Sequence, residues 1–401
     1  MDQKIKNLVK AETKRQQEQL TLIASENYIW PEAQSYLASS LTNKYSEGYA
    51  GKRYYPGNQI IDEIEQLAIE RAKKLFGVEH VNVQALSGAQ ANLIIYSALL
   101  ATGDTIMSLA LDQGGHLSHG HSASWTSKLY KFEHYQLNAQ GSIDMMALAK
   151  QAKAVKPKLI VAGFSAYSRE IDWASFAKIA KSVGAYLVAD ISHTAGLIVG
   201  KAMKSPAEHA DVIMTTTHKS LRGPRGALIM CRKELAQKID QAVFPGLQGG
   251  PHDNVIASIA TTLALDTGKA WQSYAKSVVK NAQSLAKALQ KLGYEIVSGG
   301  TDSHLMIIDL TKQKISGKEA ETRLADIGIL VSRSTIPHDP RPPYNPSGIR
   351  LGTAAVSTRG LGVKEMQQLA SVIDRALKNQ TKAKLRNEIK TLAKKFPVQL
   401  A

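Results

Sequence analysis

Short apolar runs alternate with segments of helical hydrophobic spacing from about residue 78 onward. The apolar runs predict β-strands; in chain order they are VEHVNVQAL, TIMSLAL, KPKLIVAGF, YLVADIS, DVIMTTT and GALIMCR. AQANLIIYSALLA and WASFAKIAKSVG, which lie among them, have the apolar spacing of helices. Strands that alternate with helices predict an α/β fold with a mostly parallel sheet covered by helices on both faces. Ligands of such sheets bind outside the carboxyl ends of the strands.

The pattern changes near residue 270. A long amphipathic segment runs from Gly268 to Gly293 and predicts one helix that stops at the second glycine. YEIVSGG, HLMIIDL and GILVSRS then predict strands of a smaller unit, and a last helix has Leu385, Ile389, Leu392 and Phe396 on one face. We therefore expect an N-terminal helical arm (1–50), a large α/β domain (51–270) and a small C-terminal α+β domain (271–401).

Composition limits the classes of function. The 401 residues include 50 Lys and Arg against 34 Asp and Glu, a formal net charge of +16. No RNA-binding module or aromatic stacking pattern accompanies this charge, so a nucleic-acid partner is not favoured. The single cysteine, Cys231, excludes an intramolecular disulfide and favours a reducing compartment. Without a secretory signal pattern or an apolar stretch of about 20 residues, we expect a cytoplasmic protein that does not cross a membrane.

Lys219 stands where a predicted strand runs out into TTTHKSLRGPRG (215–226). Burial and neighbouring cations lower the pKa of a lysine amine and favour a Schiff base with an aldehyde. His218, Arg222 and Arg225 are the cationic neighbours that the sequence offers. A lysine at a helix start that binds phosphate or pairs with a carboxylate would have the same pattern, so this stretch alone does not decide between the two.

Asp190 ends the preceding predicted strand, in VADISHTAGL. It lies 29 residues before Lys219, which suits one strand–helix–strand step of a parallel sheet and places both side chains at one crevice. An aspartate for a pyridine nitrogen and a lysine for an aldehyde carbon are the two protein groups that pyridoxal phosphate needs. Taken alone, Asp190 also suits a helix N-cap or a metal ligand.

Two glycine-containing turns are candidate phosphate sites. In LSGAQAN (86–92), Ser87 and Gly88 lie between a strand and a helix whose first N–H groups can bind an anion. This pattern is common to many strand-to-helix turns. PGLQGGP (245–251) adds a second glycine-rich loop. The G-x-G-x-x-G and Walker A patterns are missing, which argues against nicotinamide and nucleoside-triphosphate chemistry.

Longer motifs carry a family resemblance. In chain order they are LIASENY, LTNKYSEGYAGKRYY, GGHLSHG, GFSAYS, DISHTAGL, TTTHKSLRGPRG, FPGLQGGP, VSGGTDSHL and SGIRLGT. Through these motifs, from about residue 20 to 360, the chain resembles the serine hydroxymethyltransferases. The resemblance implies a fold-type-I pyridoxal 5'-phosphate enzyme with a large, mostly parallel seven-stranded sheet domain. It also implies a homodimer with shared active sites, or a dimer of dimers, that interconverts serine and glycine and passes one carbon to tetrahydrofolate.

The same resemblance implies roles for individual residues. Lys219 would hold the cofactor through a Schiff base, Asp190 would pair with its pyridine N–H, and Glu47 would move the proton of the serine hydroxyl or assist folate. His116 would stack on the cofactor ring, with Ser165 and His193 beside its phenolic side. The implied catalytic residues are Lys219, Glu47, Asp190, His116 and Tyr55. The implied cofactor-binding residues are Lys219, Asp190, His193, His116, Ser87, Gly88, Ala89, Ser165, Thr216 and His218, joined by Tyr45 and Gly250 of the neighbouring subunit.

The substrate and folate sites follow from the resemblance in the same way. Arg350 would bind the substrate carboxylate through two parallel hydrogen bonds, which the planar guanidinium suits best. The implied substrate-binding residues are Ser25, Tyr55, Glu47 and Arg350. The implied folate-binding residues are Leu111, Gly115, Leu117 and Ser334. No metal is implied.

Several positions depart from the family pattern near the expected phosphate and folate sites. Ala89 replaces a serine whose hydroxyl would bind the phosphate, and one charge-assisted hydrogen bond is worth ~1.5–3 kcal/mol. Ser334 replaces an asparagine expected at the folate ring. The other replaced positions are Pro56, Ala85, Leu86, Gln113, 252–254 (HDN), Ser332 and Ala354. Because the main catalytic residues keep the pattern, the hypothesis is that the amino-acid chemistry survives while the phosphate and folate sites are altered.

Two other functions remain as alternatives to the hydroxymethyltransferase. A folate-independent aldolase for 3-hydroxy amino acids such as allo-threonine would use the same scaffold and cofactor, and serine cleavage with and without tetrahydrofolate separates the two. A nucleic-acid-binding protein would use the net charge of +16. Such a protein has no need of Lys219, Asp190 and Arg350 together, so this alternative is the less favoured.

Overall fold

The computed structural model describes residues 2–399. Its helices are α1 (Gln3–Glu18), α2 (Pro31–Ser35), α3 (Gln59–Phe76), α4 (Gly88–Leu99), α5 (Thr126–Leu129), α6 (Met145–Val155), α7 (Trp173–Val183), α8 (Ala195–Val199), α9 (Ala236–Gln241), α10 (Asp253–Leu265), α11 (Gly268–Lys291), α12 (Gly317–Asp326), α13 (Ala354–Thr358), α14 (Val363–Leu377) and α15 (Lys382–Lys395). Its strands are β1 (Leu20–Thr21), β2 (Gly48–Tyr49), β3 (Lys52–Arg53), β4 (His80–Asn82), β5 (Thr105–Leu109), β6 (Lys131–Tyr135), β7 (Leu159–Gly163), β8 (Tyr186–Asp190), β9 (Val212–Thr216), β10 (Ala227–Cys231), β11 (Glu295–Ile296), β12 (Leu305–Asp309), β13 (Ile329–Leu330), β14 (Ser332–Ser334) and β15 (Gly348–Gly352).

A seven-stranded sheet forms the centre of the large unit, in the order β4, β10, β9, β8, β7, β5, β6. β10 is antiparallel to both of its neighbours, and the other pairs are parallel. The strands β7, β9 and β10 are buried along their whole length because helices cover both faces, which is why they read as continuous apolar runs. The α/β fold with a mostly parallel seven-stranded sheet is confirmed.

The edge strand β6 was not predicted. Its sequence KFEHY alternates exposed and partly buried residues until it ends at the buried Tyr135. An edge strand has one neighbour and leaves part of its surface to water, so it lacks the apolar run that marked the other strands. The sequence pattern therefore indicated only an irregular stretch here.

The small unit has a four-stranded antiparallel sheet in the order β11, β12, β15, β14. The predicted long helix is α11, which begins at Gly268 and ends at Lys291, two residues before the predicted stop. Leu385, Ile389 and Leu392 are buried on one face of α15, as their spacing predicts, and Phe396 is partly buried just beyond that helix. The smaller C-terminal α+β unit is thereby confirmed.

The first part of the N-terminal arm, α1 and β1, lies against the small unit, and the part from α2 onward packs on α10 of the large unit. The short strand β1 pairs in parallel with β13, with Leu20 opposite Ile329. Arg359 joins the ends of α1 and α15, since its buried guanidinium donates to the backbone carbonyls of Gln16, Gln17, Gln19, Ala393 and Phe396. These carbonyls would otherwise lack partners at the helix ends. None of the helices within residues 2–399 combines the length and the apolar character of a membrane span.

Candidate active site

A pocket lies where the carboxyl ends of β7, β8 and β9 meet. These strands pair in register, with Gly163 opposite Asp190 and Asp190 opposite Met214. Gly163 has to be a glycine, because a Cβ there would lie 2.4 Å from the Cβ of Asp190. The residues lining the pocket are Gly88, Asn92, His116, His119, Phe164, Ser165, Asp190, Ser192, His193, Met214, Thr216 and Lys219.

Lys219 projects into this pocket from the turn after β9. Burial lowers the pKa of its amine to about 8; the charge of Asp190 opposes this shift, and Arg350 and Arg225 add to it. At pH 7 about a tenth of such an amine is unprotonated, against less than about a thousandth for an ordinary lysine. The amine is therefore suited to attack an aldehyde near neutral pH.

The cationic surroundings of Lys219 differ from those expected from the sequence. Arg222 turns away and lies over the ring of Trp30, 3.8 Å from its centroid. His218 is neutral, because burial and then the charges of Lys219 and Arg225 lower its pKa to about 3. Of the three expected neighbours only Arg225 contributes, and Arg350, which is distant in sequence, takes the place of the other two.

Asp190 is buried and ionised. Burial alone would raise the pKa of its carboxyl, but the hydrogen bond and charge of His119, the charge of Lys219 and the hydrogen bond from Ser192 hold the pKa well below its usual value. His119 Nε2 lies 3.1 Å from Asp190 Oδ2, and the Ser192 hydroxyl donates to Oδ1 over 2.6 Å. Asn92 Nδ2 donates to Oδ2 over 3.2 Å. A fixed negative charge therefore faces the pocket, which suits a protonated ring nitrogen rather than a helix cap.

Sequence analysis missed three of these neighbours: His119, Asn92 and Ser192. His119 is 1 % exposed and follows His116 by one helical turn in GGHLSHG, where a second histidine at this spacing was the available signal. Asn92 lies on α4 and Ser192 two residues after β8. Their approach to Asp190 depends on how α4 packs on the sheet, which the local sequence does not reveal.

The other histidines of the site are neutral. Burial, followed by the charge of His119, lowers the pKa of His116 to about 4. Its Nδ1 accepts the backbone N–H of Ser118 over 3.2 Å, so the ring is held against the pocket wall. Burial lowers the pKa of His193 well below its usual value, and its ring stacks on that of His304 with centroids 5.5 Å apart. Neutral flat rings at these positions can contact an aromatic ligand without charge repulsion.

The first glycine turn brings the start of α4 against the end of β9. A Cβ on Gly88 would lie 2.6 Å from Thr216 Cγ2, so only glycine permits this approach. Thr216 Oγ1 and His218 Nδ1 are buried and have no hydrogen-bond partner within the described residues. Ser87 is the N-cap of α4, and its hydroxyl accepts the N–H of Gln90 over 3.4 Å. The unpartnered Thr216 side chain thus lies beside the N-terminus of α4, where helix N–H groups can bind an anion.

Arg350 reaches the pocket edge from β15 of the small unit. Its Nη1 donates to the Ser165 carbonyl, and its Nε to the Ser332 hydroxyl over 3.3 Å. Within residues 2–399 no carboxylate lies within 4 Å of this guanidinium, and burial lowers its pKa to about 10. Ser25 follows Ala24, whose backbone packs against Gly352 at the end of the same strand. A partly buried guanidinium without an acidic partner is a ready site for a ligand carboxylate.

A second pocket of about 580 Å³ adjoins Arg350 and Ser165. Three of the four expected folate residues, Leu111, Gly115 and Ser334, line this pocket. Leu117 does not line it and is 50 % exposed. The Ser334 hydroxyl donates to the Thr335 carbonyl over 3.1 Å. Toward a ligand in the pocket, the Ser334 hydroxyl can therefore act only as a hydrogen-bond acceptor.

Tyr45, Glu47, Tyr55 and Gly250 lie together but outside the Lys219 pocket of the same chain. The Tyr45 hydroxyl donates to Glu47 over 3.3 Å, and the Tyr45 and Tyr55 rings meet edge to face, 5.2 Å apart. A Cβ on Gly250 would lie 3.5 Å from the Tyr45 ring. Both tyrosines are about half exposed, at 56 % and 46 %. Within one chain these residues form a surface cluster.

Comparisons with known proteins agree with this geometry. The family model described as serine hydroxymethyltransferase matches residues 1–373. The chain is 48 % identical to a serine hydroxymethyltransferase of Desulfotalea psychrophila over 400 residues, covering 99 % of this chain and 94 % of the relative. It is 47 % identical to that of Acidothermus cellulolyticus, covering 99 % and 95 %, and 48 % identical to that of Legionella pneumophila, covering 96 % and 94 %.

Proposed function

The chain belongs to the serine hydroxymethyltransferase family, and we propose that it interconverts L-serine and glycine with transfer of the one-carbon unit to tetrahydrofolate. The observation that carries this proposal is the pocket in which the amine of Lys219 and the ionised carboxylate of Asp190 face each other, with Arg350 at its edge. The relatives' names support the hydroxymethyltransferase over the folate-independent aldolase.

We propose pyridoxal 5'-phosphate as the cofactor, because the residues present fit it. Asp190 offers a fixed negative charge for a protonated pyridine nitrogen, and Lys219 offers an amine for the aldehyde. The unpartnered Thr216 and His218 atoms and the close approach of Gly88 suit the phosphate. When bound, the cofactor supplies an electron sink for charge that develops at the amino-acid α-carbon.

The residues of the chain then have distinct tasks. The Arg350 guanidinium binds the substrate carboxylate and so orients the amino acid at the pocket edge. Asp190 keeps the ring nitrogen protonated throughout, because His119 and Ser192 hold the carboxylate ionised. The neutral imidazoles of His116 and His193 line the pocket without competing for the phosphate charge. Glu47 is assigned the proton transfer at the serine hydroxyl, a task that a carboxylate within hydrogen-bond reach performs.

We propose that the active unit is a homodimer in which each pocket is completed by the partner. The cluster of Tyr45, Glu47, Tyr55 and Gly250 does not line the Lys219 pocket of its own chain, so its assigned roles require a second chain. Tyr54 and Ile60, nearby in sequence, are 71 % and 64 % exposed, as interface residues are in an isolated chain.

The single cysteine supports a cytoplasmic location.

The proposed function is tested by serine cleavage with and without tetrahydrofolate. We expect added tetrahydrofolate to accelerate cleavage by about 10²-fold or more, because an acceptor bound beside the amino acid is already positioned to take up the one-carbon unit. Cleavage of allo-threonine, which needs no acceptor, is the matched control and should be unaffected. If tetrahydrofolate neither binds nor accelerates serine cleavage, the protein is an aldolase and not a hydroxymethyltransferase.

We expect Gly88→Ala to weaken pyridoxal-phosphate binding by about tenfold or more. The added Cβ would lie 2.6 Å from Thr216 Cγ2, so α4 must retreat and its N–H groups leave the phosphate. Ala89→Ser, one residue on, adds the missing hydroxyl and should tighten binding by about tenfold. Titration of the cofactor-free protein by absorbance measures both. Equal affinity in Gly88→Ala and wild type would exclude the start of α4 as the phosphate site.

A further inference from the structure

The side chain of Asn27 is hydrogen-bonded to the backbone of Lys219. Its Nδ2 donates to the Lys219 carbonyl over 3.0 Å and to the Tyr274 hydroxyl over 3.0 Å. Its Oδ1 accepts the Tyr28 N–H over 2.9 Å and the Thr358 hydroxyl over 2.7 Å. Both donors and both lone pairs of the amide are therefore used. The orientation of the amide is fixed, because a backbone carbonyl can only accept and a backbone N–H can only donate.

Three of these groups close a ring of hydrogen bonds. Asn27 Nδ2 donates to Tyr274, the Tyr274 hydroxyl lies 3.0 Å from Thr358 Oγ1, and Thr358 donates to Asn27 Oδ1. Because Thr358 donates to Asn27, the Tyr274 hydroxyl closes the ring by donating to Thr358, and the Ala354 carbonyl of the same helix lies 3.3 Å away as a second acceptor. Hydrogen bonds linked in this way strengthen one another. The second Nδ2 hydrogen connects the ring to the Lys219 backbone.

The ring joins the two units that must cooperate at the pocket. Thr358 ends α13, the helix that follows β15 and its Arg350. Tyr274 lies on α11, at the start of the small unit, and Lys219 belongs to the large unit. Arg222 adds to the same connection, since its Nε donates to the Tyr28 carbonyl over 3.1 Å. Asn27 thus ties the backbone of the nucleophile to the unit that carries the carboxylate-binding arginine.

We propose that Asn27 is a positioning residue that fixes Lys219 relative to Arg350. It touches neither substrate nor cofactor and acts through the Lys219 carbonyl and the hydroxyls of Tyr274 and Thr358. Part of the proposal rests on the proposed function, since Arg350 and Lys219 receive their roles there. The effect of Asn27 on Lys219 depends only on the chain itself, and it can be measured through the titration of the Lys219 amine without any catalytic turnover.

The first test measures the titration of Lys219 in the full-length chain freed of cofactor. Trinitrobenzenesulfonate modification is followed against pH by mass spectrometry of the peptide that contains Lys219. In the wild type we expect a midpoint near pH 8, the pKa of the buried amine. Asn27→Leu keeps the approximate shape but makes no hydrogen bond, so Lys219 gains access to water and the midpoint should rise by about one unit toward the ordinary lysine value.

A graded series separates the ring from the bond to Lys219. Thr358→Val opens the ring but leaves the bond from Asn27 to the Lys219 carbonyl, so we expect a smaller rise than in Asn27→Leu. The double variant should shift no further than Asn27→Leu alone, because both changes act on one network. In the holoenzyme, Asn27→Leu should raise the KM for serine about tenfold and lower kcat as well, because Lys219 and Arg350 are no longer held in a fixed relative position.

Asn281→Leu is the matched control. Asn281 is a buried asparagine of α11, and its Nδ2, like that of Asn27, donates twice: to Ser357 Oγ over 2.9 Å and to the Leu361 carbonyl over 2.8 Å. It joins the same part of the small unit but does not contact Lys219. We expect it to lower thermal stability and to leave the Lys219 midpoint unchanged.

The proposal is overturned if the Lys219 midpoint in Asn27→Leu or Thr358→Val equals that of Asn281→Leu. Should Asn27→Leu fail to fold, Thr358→Val and Tyr274→Phe each open the ring by loss of a single hydroxyl and decide the question by the same midpoint. Because this titration uses neither serine nor tetrahydrofolate, its result is independent of the outcome for the proposed function.

Discussion

Replacing Lys219 with alanine should reduce folate-dependent serine cleavage by about 10⁴-fold or more, because it removes the amine that we propose captures the cofactor. The pocket should otherwise persist, since Asp190, His119 and Asn92 bond to one another and not to the lysine amine. The variant should bind pyridoxal phosphate without a covalent link. Borohydride reduction followed by mass spectrometry tests this directly, because only a Schiff base is fixed by reduction.

Lys219→Arg is the matched control for charge. Arginine keeps the positive charge but stays protonated at any relevant pH, so it should lose activity as fully as alanine does. In the wild type the rate of cofactor capture should rise tenfold per pH unit and level off near pH 8, where burial has placed the pKa of the amine. Activity of either variant within tenfold of the wild type would show that another residue is the nucleophile.

The sheet was predictable because its strands are buried on both faces. A strand such as β9 must be apolar throughout, and its end is marked by the first polar residues. The sequence therefore located Asp190 and Lys219 at neighbouring strand ends, and the register of β8 with β9 brings them to one pocket. The edge strand β6 gave no such signal, since part of it faces water.

Contacts between distant segments could not be predicted. Asn27 lies 192 residues from Lys219, and Arg350, which replaces Arg222 as a cationic neighbour, comes from a different sheet. Nothing in the local sequence pattern distinguishes an asparagine such as Asn27, which bonds to the backbone of Lys219, from one that faces water. Such contacts depend on the packing of one unit on another, and the hydrophobic pattern reports only on which side of an element is buried.

The departure at HDN (252–254) shows how an unusual residue is accommodated. Asp253 is 3 % exposed at the start of α10, and burial raises the pKa of its carboxyl. Ser46 donates to it over 2.7 Å, and Ser46 lies between Tyr45 and Glu47. Arg53 holds the same loop, donating to the carbonyls of Ser46 and Gly48. The replaced position therefore bonds to the loop that carries the surface cluster, a link that an apolar residue would not make.

Asp190→Asn should lower kcat/KM for folate-dependent serine cleavage by about 10²–10³-fold, the usual cost of removing one preorganised electrostatic contact. The amide has the same shape and can still bond to His119 and Ser192, so the fold and the cofactor contacts are retained. What is lost is the negative charge that, in our proposal, would keep the cofactor's ring nitrogen protonated and so support its electron sink. Steady-state kinetics and the absorption spectrum of the bound cofactor should change together.

Two further variants test how far the effect depends on the charge of Asp190. His119→Asn removes one of the groups that hold Asp190 ionised but leaves Ser192 and Asn92 in place, so we expect a loss of about tenfold. Asp211→Asn is the matched control, because Asp211 Oδ2 accepts the N–H of Leu187 over 2.8 Å at the opposite end of β8 and lies outside the pocket. It should leave kcat/KM and the spectrum unchanged. An Asp190→Asn variant as active as Asp211→Asn would mean that the ring nitrogen needs no carboxylate, and the assignment of this pocket to pyridoxal phosphate would fail.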